Sequence, residues 1–307
     1  MTVVIRTARP DELPALTTFP DVPDRDAATA GYLETLLDRA CTRPEWCLVA
    51  EDDGRLVGNI VLWSPPNHAV PMDFVLFEPG PAGPALLDAA ATLARDLGAT
   101  RQGHVLDTPA QAPQFQRDPE LRETLLTGAG FGLDRDGCRF LWRAGADLPT
   151  LDPRLTWRSL ADLGEAPFVD FLEGVLTDTK DSIFLAEVAE HGLRGAAERN
   201  FQDMLDMDHQ PDWYEIGYDA DGLPAALSLP ARNPGSAVIG LVGVAPTHRG
   251  RGFSTDVVIR GLHVLAAAGE TEVRGDCDAA NVGMFRSFVK AGFANFANRR
   301  MFSRSLS

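Results

Sequence analysis

Apolar residues in this chain come in short runs broken by polar turns, and the runs recur twice in one order. Residues 3–8 (VVIRTA) predict a strand. The RPDELPAL that follows predicts a helix start with acids in its first turn, where unpaired amides favour negative charge. Residues 155–160 (LTWRSL), followed by ADLGEAPFVDFLEGVL, restate that plan. A hairpin comes next in each half. WCLVAEDDGRLVGNIVLW (46–63) turns at Asp52-Asp53-Gly54 and WYEIGYDADGLPAALSLP (213–230) at Asp221-Gly222, each an Asp-Gly signal between strand patterns. Then follow a third strand (MDFVLFEP, 72–79, or AVIGLVGVAP, 237–246), an alanine-rich helix, a strand (QGHVLD or TEVRGDCD), a helix, and a last strand after Gly-Phe.

Aligning Arg6 with Arg158 gives an offset of 152, and aligning Gly130 with Gly292 gives 162, a difference of ten that loop insertions absorb. A repeat of this size predicts two tandem α/β domains. The expected boundaries are 1–145 and 155–307, with a Pro- and Asp-containing linker at 146–154.

Composition narrows the function classes. The 307 residues are 45% hydrophobic and 23% charged, as in ordinary globular proteins. A formal charge of -16 argues against nucleic-acid binding, which needs a basic face, and suits a cationic or amine substrate. Lys180 and Lys290 are the only two lysines. Cys41, Cys47, Cys138 and Cys277 show no paired or zinc-like spacing, so buried thiols in a reducing compartment and no metal are expected. MTVVIRTARPDEL lacks a basic stretch followed by an apolar one, and no window approaches the ~18 apolar residues of a membrane span. The expectation is a cytoplasmic protein, monomer or homodimer, that does not engage membranes.

The stretch with the most chemistry is VGVAPTHRGRGFSTDVV (242–258). A strand pattern ends at Pro246, which has no N–H for a ladder. His248, Arg249 and Arg251 then interleave with Gly250 and Gly252 before a helix-compatible run. Glycines allow close approach of a ligand to the backbone, and a helix's first amides are unpaired donors. Strand end, basic glycine loop and helix start together predict an anion site, and a diphosphate fits it. His248 itself is expected to be a loop residue in water.

On these residues the chain resembles the GCN5-related N-acetyltransferase (GNAT) family, whose loop reads Arg/Gln-x-x-Gly-x-Gly/Ala after a Val-x-Val-x-Pro strand. Arg249, Gly250, Arg251, Gly252, Phe253 and Ser254 follow Val242, Val244 and Pro246 here, with Ser254 where Gly or Ala is usual. NVGMFRSFVKAGF (281–293) resembles the family's second motif at Asn281, Gly292 and Phe293, with Met284 and Ser287 replacing its Ala and Leu. The resemblance implies two GNAT-like domains, each a mixed, mostly antiparallel central sheet flanked by helices. It implies acetyl-CoA as co-substrate. Val242, Gly243 and Val244 would take the pantetheine arm, residues 249–254 the diphosphate, and Asn281 and Phe288 would complete the cofactor site. Phe288 stands where the family often has a tyrosine that protonates the departing thiolate, and phenylalanine has no proton to give. Ser287 is then a candidate donor. Asp276 is the preferred base among the acids near Asn281, with Asp278 on the same strand face and Glu215 on the hairpin, each of which also reads as an ordinary solvated or capping side chain.

The first half carries FVLFEPGPAGPALLDAA (74–90) in place of the basic loop, with Glu78 where a diphosphate would lie and no arginine before Arg95. It reads as a non-catalytic copy. The leading function is therefore acetyl transfer to a primary amine of a small molecule or peptide through residues 155–307. The alternatives are a CoA-binding or ligand-sensing protein without turnover and, less well supported by the loop's late position, a dinucleotide enzyme.

Overall fold

The computed structural model of the chain describes residues 3–17, 23–66, 68–145, 148–233 and 235–306. In chain order its elements are β1 (Val4–Thr7), α1 (Pro23–Asp38), β2 (Cys47–Asp52), β3 (Arg55–Trp63), β4 (Asp73–Glu78), α2 (Gly83–Asp96), β5 (Arg101–Thr108), α3 (Pro119–Gly128) and β6 (Gly132–Arg143). They continue with β7 (Thr156–Ser159), α4 (Leu160–Leu163), α5 (Ala166–Leu176), α6 (Ser182–Leu205), β8 (Glu215–Tyr218), β9 (Pro224–Asn233) and β10 (Ser236–Val244). The chain closes with α7 (Phe253–Ala267), β11 (Glu272–Asp278), α8 (Val282–Lys290) and β12 (Ala294–Ser305). The order matches the repeat read from the sequence, including both hairpins. At the first turn Asp53 and Gly54 take φ 48° and 76°, the left-handed pair that a two-residue hairpin turn requires.

Contacts divide the chain into two units, residues 1–135 with 299–307, and residues 136–298. The terminal strands are thus exchanged relative to chain order. Phe302 and Leu306 join the core of the first unit, around Phe74, Phe77, Leu86 and Leu126. Phe140 and Trp142 join the core of the second, around Val257, Leu262, Phe288 and Phe293. The expected boundaries followed sequence order and so placed residues 136–143 in the first domain and 299–305 in the second, where the contacts put them the other way round. Of the linker, residues 146 and 147 lie outside the described residues.

In the first unit β1 to β4 are antiparallel neighbours, and β4 pairs in parallel with β5. In the second, β7, β8, β9 and β10 are antiparallel neighbours, β10 pairs in parallel with β11, and β11 pairs antiparallel with β6. The sheet of the second unit is covered on one face by α5 and α6, with Phe168, Leu172, Phe201 and Tyr214 in their core, and on the other by α7 and α8. Both sheets are mixed and mostly antiparallel, as expected. The core of the second unit brings β10, β11 and the start of α7 together.

Candidate functional site

β10 and β11 are ladder partners only at Ala237↔Val273 and Val238↔Arg274. A register shift in the β10–β9 ladder between Ile239 and Leu241 follows directly, the mark of a bulge that bends a strand. Beyond it Ala245 donates its N–H to Ala225 O at 2.9 Å. Backbone groups of successive strand residues face opposite edges. The N–H groups of Val244 and Val242 therefore face away from β9, into the split where the β11 ladder has ended. Arg249 Nε reaches Val244 O at 3.3 Å, and Val242 has no strand partner on that edge among the described residues.

The loop then makes one short 3-10 turn, Pro246–His248, before Gly250 and Gly252 at φ 79° and 89°. A Cβ on Gly250 would meet nothing within 4 Å, and one on Gly252 only Arg154 Nη2 at 3.6 Å. Conformation and not crowding demands these glycines, and the space above them is open. α7 begins at Phe253 with no side-chain cap. The first amides of a helix have no intrahelical acceptor; of these, Thr255 N turns back to Gly252 O at 3.0 Å.

The two loop arginines divide. Arg251 is exposed, and its carbonyl accepts from Arg154 Nη1 at 2.9 Å. Arg154 also bonds Asp256 Oδ2 at 2.7 Å, pinning the start of α7. Burial pushes the Asp256 carboxyl above its ordinary range, against the Arg154 charge. Arg249, expected to reach a phosphate, instead donates through Nη2 to Val175 O (2.8 Å) and Thr177 O (2.9 Å) at the end of α5. A helix C-terminus has orphan carbonyls and partial negative charge, which a guanidinium satisfies on both counts.

His248 departs from its expected solvated position. It is buried, its Nε2 lies 2.8 Å from Asp219 Oδ2 and its Nδ1 3.0 Å from Thr247 Oγ1. The hydrogen bond from His248 holds the Asp219 carboxyl below its usual range, helped by the N–H groups of Leu223 and Asp221. This pair ties the β8–β9 turn to the glycine loop. Nothing in the local sequence signalled it, because the partners are 29 residues apart.

The candidate acids and hydroxyls are spread over distinct environments. Asp276 is exposed on β11, in register with Arg139 of β6. Asp278 is buried; its Oδ2 accepts from Ser182 N (3.1 Å) and Ser182 Oγ (2.7 Å), and its Oδ1 from Ala280 N (2.8 Å). Glu215 is neither solvated nor a cap but forms a two-point ion pair with Arg260 of α7, at 2.6 and 2.7 Å. Ser287 is buried between α7 and α8, 2.8 Å from Ser254 Oγ, and donates to Gly283 O at 3.0 Å. Asn281 caps α8 by accepting from Met284 N at 3.2 Å. Phe288 is fully buried, stacked on Phe140 at 4.6 Å, and a Cβ on Gly275 would lie 2.4 Å from its ring. Cys277 is buried, as expected, and so are the other three thiols. Among the described residues no group of three or more His, Cys, Asp and Glu side chains is placed to hold a metal, and no helix is long and apolar enough to cross a membrane.

The first unit has the same split, and its own chain fills it. β4 and β5 share one ladder position, Asp73↔Gly103. Gln114 Oε1 accepts from Leu76 N (3.3 Å) on one edge, and Gln116 Nε2 donates to Val105 O (2.8 Å) on the other. Gln116 Nε2 also lies 3.1 Å from Nε2 of the buried His104, whose Nδ1 is 2.9 Å from Phe74 O. The loop after β4 is packed down: a Cβ on Gly80 would lie 1.9 Å from Val57 O, and one on Gly83 2.9 Å from Leu125. Arg122 of α3, 2% exposed, bonds Phe77 O, Arg117 O and Glu78 Oε1.

These two split sheets define the class of fold. The chain is similar over 99% of its length to a GCN5-related N-acetyltransferase from Sphaerobacter thermophilus, with a TM-score of 0.60, 16% identity and 96% of that chain covered. It is similar over its whole length to a tandem GNAT protein of the clavulanic acid biosynthesis pathway (TM-score 0.51, 15% identity, 98% of that chain). It is also similar to the glucosamine N-acetyltransferase region of a fungal multi-domain β-N-acetylglucosaminidase (TM-score 0.56, 16% identity, 99% of this chain and 38% of that one). No protein-family model and no curated protein sequence matches the chain. The protein has the GNAT fold in a tandem, two-domain arrangement.

Proposed function

We propose that the protein is an acetyl-CoA-dependent N-acyltransferase that works through its second unit and leaves the first without a coenzyme site. The observation that carries this reading is the exposed edge of β10, with the N–H of Val244 and the backbone of Val242 turned into the split and leading directly to the glycine loop and the start of α7. An amide-bearing arm pairs with such an edge as an added strand does. The amides from Gly250 to Ser254 and the exposed Arg251 suit the diphosphate. Gly243, where a Cβ would lie 2.6 Å from Val175, keeps α5 close to the edge.

The reaction is direct attack. The neutral amine of a small molecule or peptide forms a C–N bond to the thioester carbonyl carbon as the C–S bond breaks, and the thiolate leaves. An amide of the β10 edge aimed at the developing oxyanion lowers the barrier. Asp276, the acid of the β11 face that is exposed, takes the amine's proton directly or through water. Ser287 is held by Gly283 and Ser254, which suits it to ordering α7 on α8 more than to giving up a proton. A thiolate with a free-thiol pKa of about 8.5 leaves without a dedicated acid.

One observation favours a second reading, a coenzyme-binding protein without turnover: Glu215 and Asp278 are both committed to structural bonds. Titration calorimetry with acetyl-CoA, followed by thiol release against a panel of primary amines, tests both. One-site binding that weakens by about tenfold in Arg251→Ala, with amine-dependent thiol release, supports the acyltransferase; one lost charge-assisted contact is worth about 1.5 kcal/mol. Binding without release for any amine supports the second reading. No binding removes both.

A further inference from the structure

The segment from Val175 to Ser182 joins α5 to α6 and is fastened at its two ends to the two strands that diverge. At its start, Arg249, from the loop after β10, donates to Val175 O and Thr177 O, and the Val175 side chain lies on Gly243. At its end, Asp278, the last residue of β11, accepts from Ser182 N and Ser182 Oγ. Each fastening matches charge to a helix end: a guanidinium on the C-terminal carbonyls of α5 and a carboxylate on the first N–H and hydroxyl of α6. Asp181, by contrast, caps α6 locally by accepting from Ile183 N. Between the fastenings Asp178 takes φ 55°, a left-handed turn uncommon for a residue other than glycine. The segment therefore reaches from the end of β10 to the end of β11.

From this arrangement we infer that residues 175–182 are a latched strap across the split, and that Arg249 and Asp278 are positioning residues which hold it and do not themselves bind ligand. The latching follows from the hydrogen bonds alone. Its consequence for coenzyme entry and exit rests on the function proposed above. While both latches hold, the strap fixes the width of the split at the height of Gly243 and Val244, where the unpaired β10 edge lies. Release of either latch loosens the segment at that end, so opening is a sub-global event and does not require the domain to unfold. A ligand seated along β10 beneath the strap leaves more slowly the longer both latches stay closed.

The two lysines give this a direct test. Within these 307 residues endoproteinase Lys-C can cut only after Lys180, within the strap, and after Lys290, at the end of α8; both side chains are exposed. Digestion of the native protein without ligand is followed by mass for the wild type, Asp278→Asn, Arg249→Ala and the milder Ser182→Ala, which removes the 2.7 Å hydroxyl bond and keeps the carboxylate. The latch predicts that Asp278→Asn and Arg249→Ala raise the Lys180 rate relative to the Lys290 rate by about five- to thirtyfold, with Ser182→Ala showing a smaller rise in the same sense. Equal acceleration at both sites in every variant, or an unchanged Lys180 rate, overturns the latch. A variant too unstable to purify leaves Ser182→Ala to decide. The ligand arm displaces bound CoA with excess acetyl-CoA: faster release in Asp278→Asn at an unchanged association rate is the expected result, and unchanged release overturns the role in exit. Absence of CoA binding in the wild type would count against the proposed function while leaving the proteolysis result intact.

Discussion

The split between β4 and β5 in the first unit and the split between β10 and β11 in the second share a backbone plan and differ in what satisfies it. In the first, side-chain amides of Gln114 and Gln116 take the edge N–H of Leu76 and the edge C=O of Val105. In the second, the edge N–H groups of Val242 and Val244 face the split beyond the β11 ladder, and the loop glycines have room above them. A diverging pair of strands exposes polar backbone that must be satisfied by something. One copy uses its own chain, and on the proposed function the other is left to a ligand. The difference teaches that one backbone plan can keep its groove and fill it with its own side chains.

The largest expected effect breaks the filled side. Gln114→Ala with Gln116→Ala removes the partners of Leu76 N and Val105 O, both part-buried, and of the buried Nε2 acceptor of His104. Leaving a buried group unpaired costs about 1–3 kcal/mol and a part-buried one less, so chemical denaturation should report a loss of roughly 2–5 kcal/mol. Coenzyme stoichiometry should remain one per chain, since Gly80 and Gly83 still pack the first unit's loop shut. A second CoA equivalent in the variant would show that the glutamines alone separate the two copies.

A smaller effect sharpens the open side. Val242→Pro removes one N–H that faces the split and no ladder bond to β9, because Gly243 and Ala245 make those. Acetyl-CoA affinity should fall by about tenfold, the loss of one well-placed hydrogen bond of ~1.4 kcal/mol, with little change in thermal midpoint. The same substitution at Leu241, which lies on the β9-bonded alternation, should instead destabilise the unit. Equal destabilisation at both positions would mean the edge assignment is wrong.

Much of this was written in the order of residues, and the rest lies in contacts that order does not encode. The hairpins were legible because Asp53-Gly54 and Asp221-Gly222 supply the turn conformation locally, and the end of β10 because Pro246 cannot continue a ladder. Arg249 and Arg251 are alike in sequence and sit two residues apart, yet one turns to the carbonyls of α5, 72 to 74 residues away. The Glu215–Arg260 pair and the His248–Asp219 pair have the same cause: long-range partners give no local signal. The exchange of β6 and β12 between the units is likewise invisible in a repeat, because both strands carry the pattern their own half requires. Gln114 and Gln116 sit in a Pro- and Gln-rich stretch that reads as a loop, and only the tertiary setting makes it a filling.

The third effect is graded with pH and belongs to His104. Its Nδ1–H donates to Phe74 O and its Nε2 accepts from Gln116 Nε2–H, so the neutral ring is built into the filling. Burial pushes its pKa down to about 3, against an ordinary value of 6.5, with the Arg122 charge acting in the same direction. Below 6.5 the unfolded chain binds a proton that the folded chain refuses until about 3, so stability falls as pH is lowered through that window. The slope from this one group approaches 1.4 kcal/mol per pH unit and vanishes below about 3. Denaturation midpoints at pH 7, 6, 5 and 4 should show that loss in the wild type. His104→Gln has no proton to gain and should show a flatter profile, from a lower starting stability, since a glutamine keeps only part of the ring's packing against Phe74 at 4.2 Å. Neither β10 nor β11 carries a histidine, so acetyl-CoA affinity should not follow the same pH profile. A common profile for stability of the first unit and coenzyme affinity of the second would mean that the two splits answer to each other, and the contrast between a self-filled groove and a ligand groove would have to be redrawn as one coupled system.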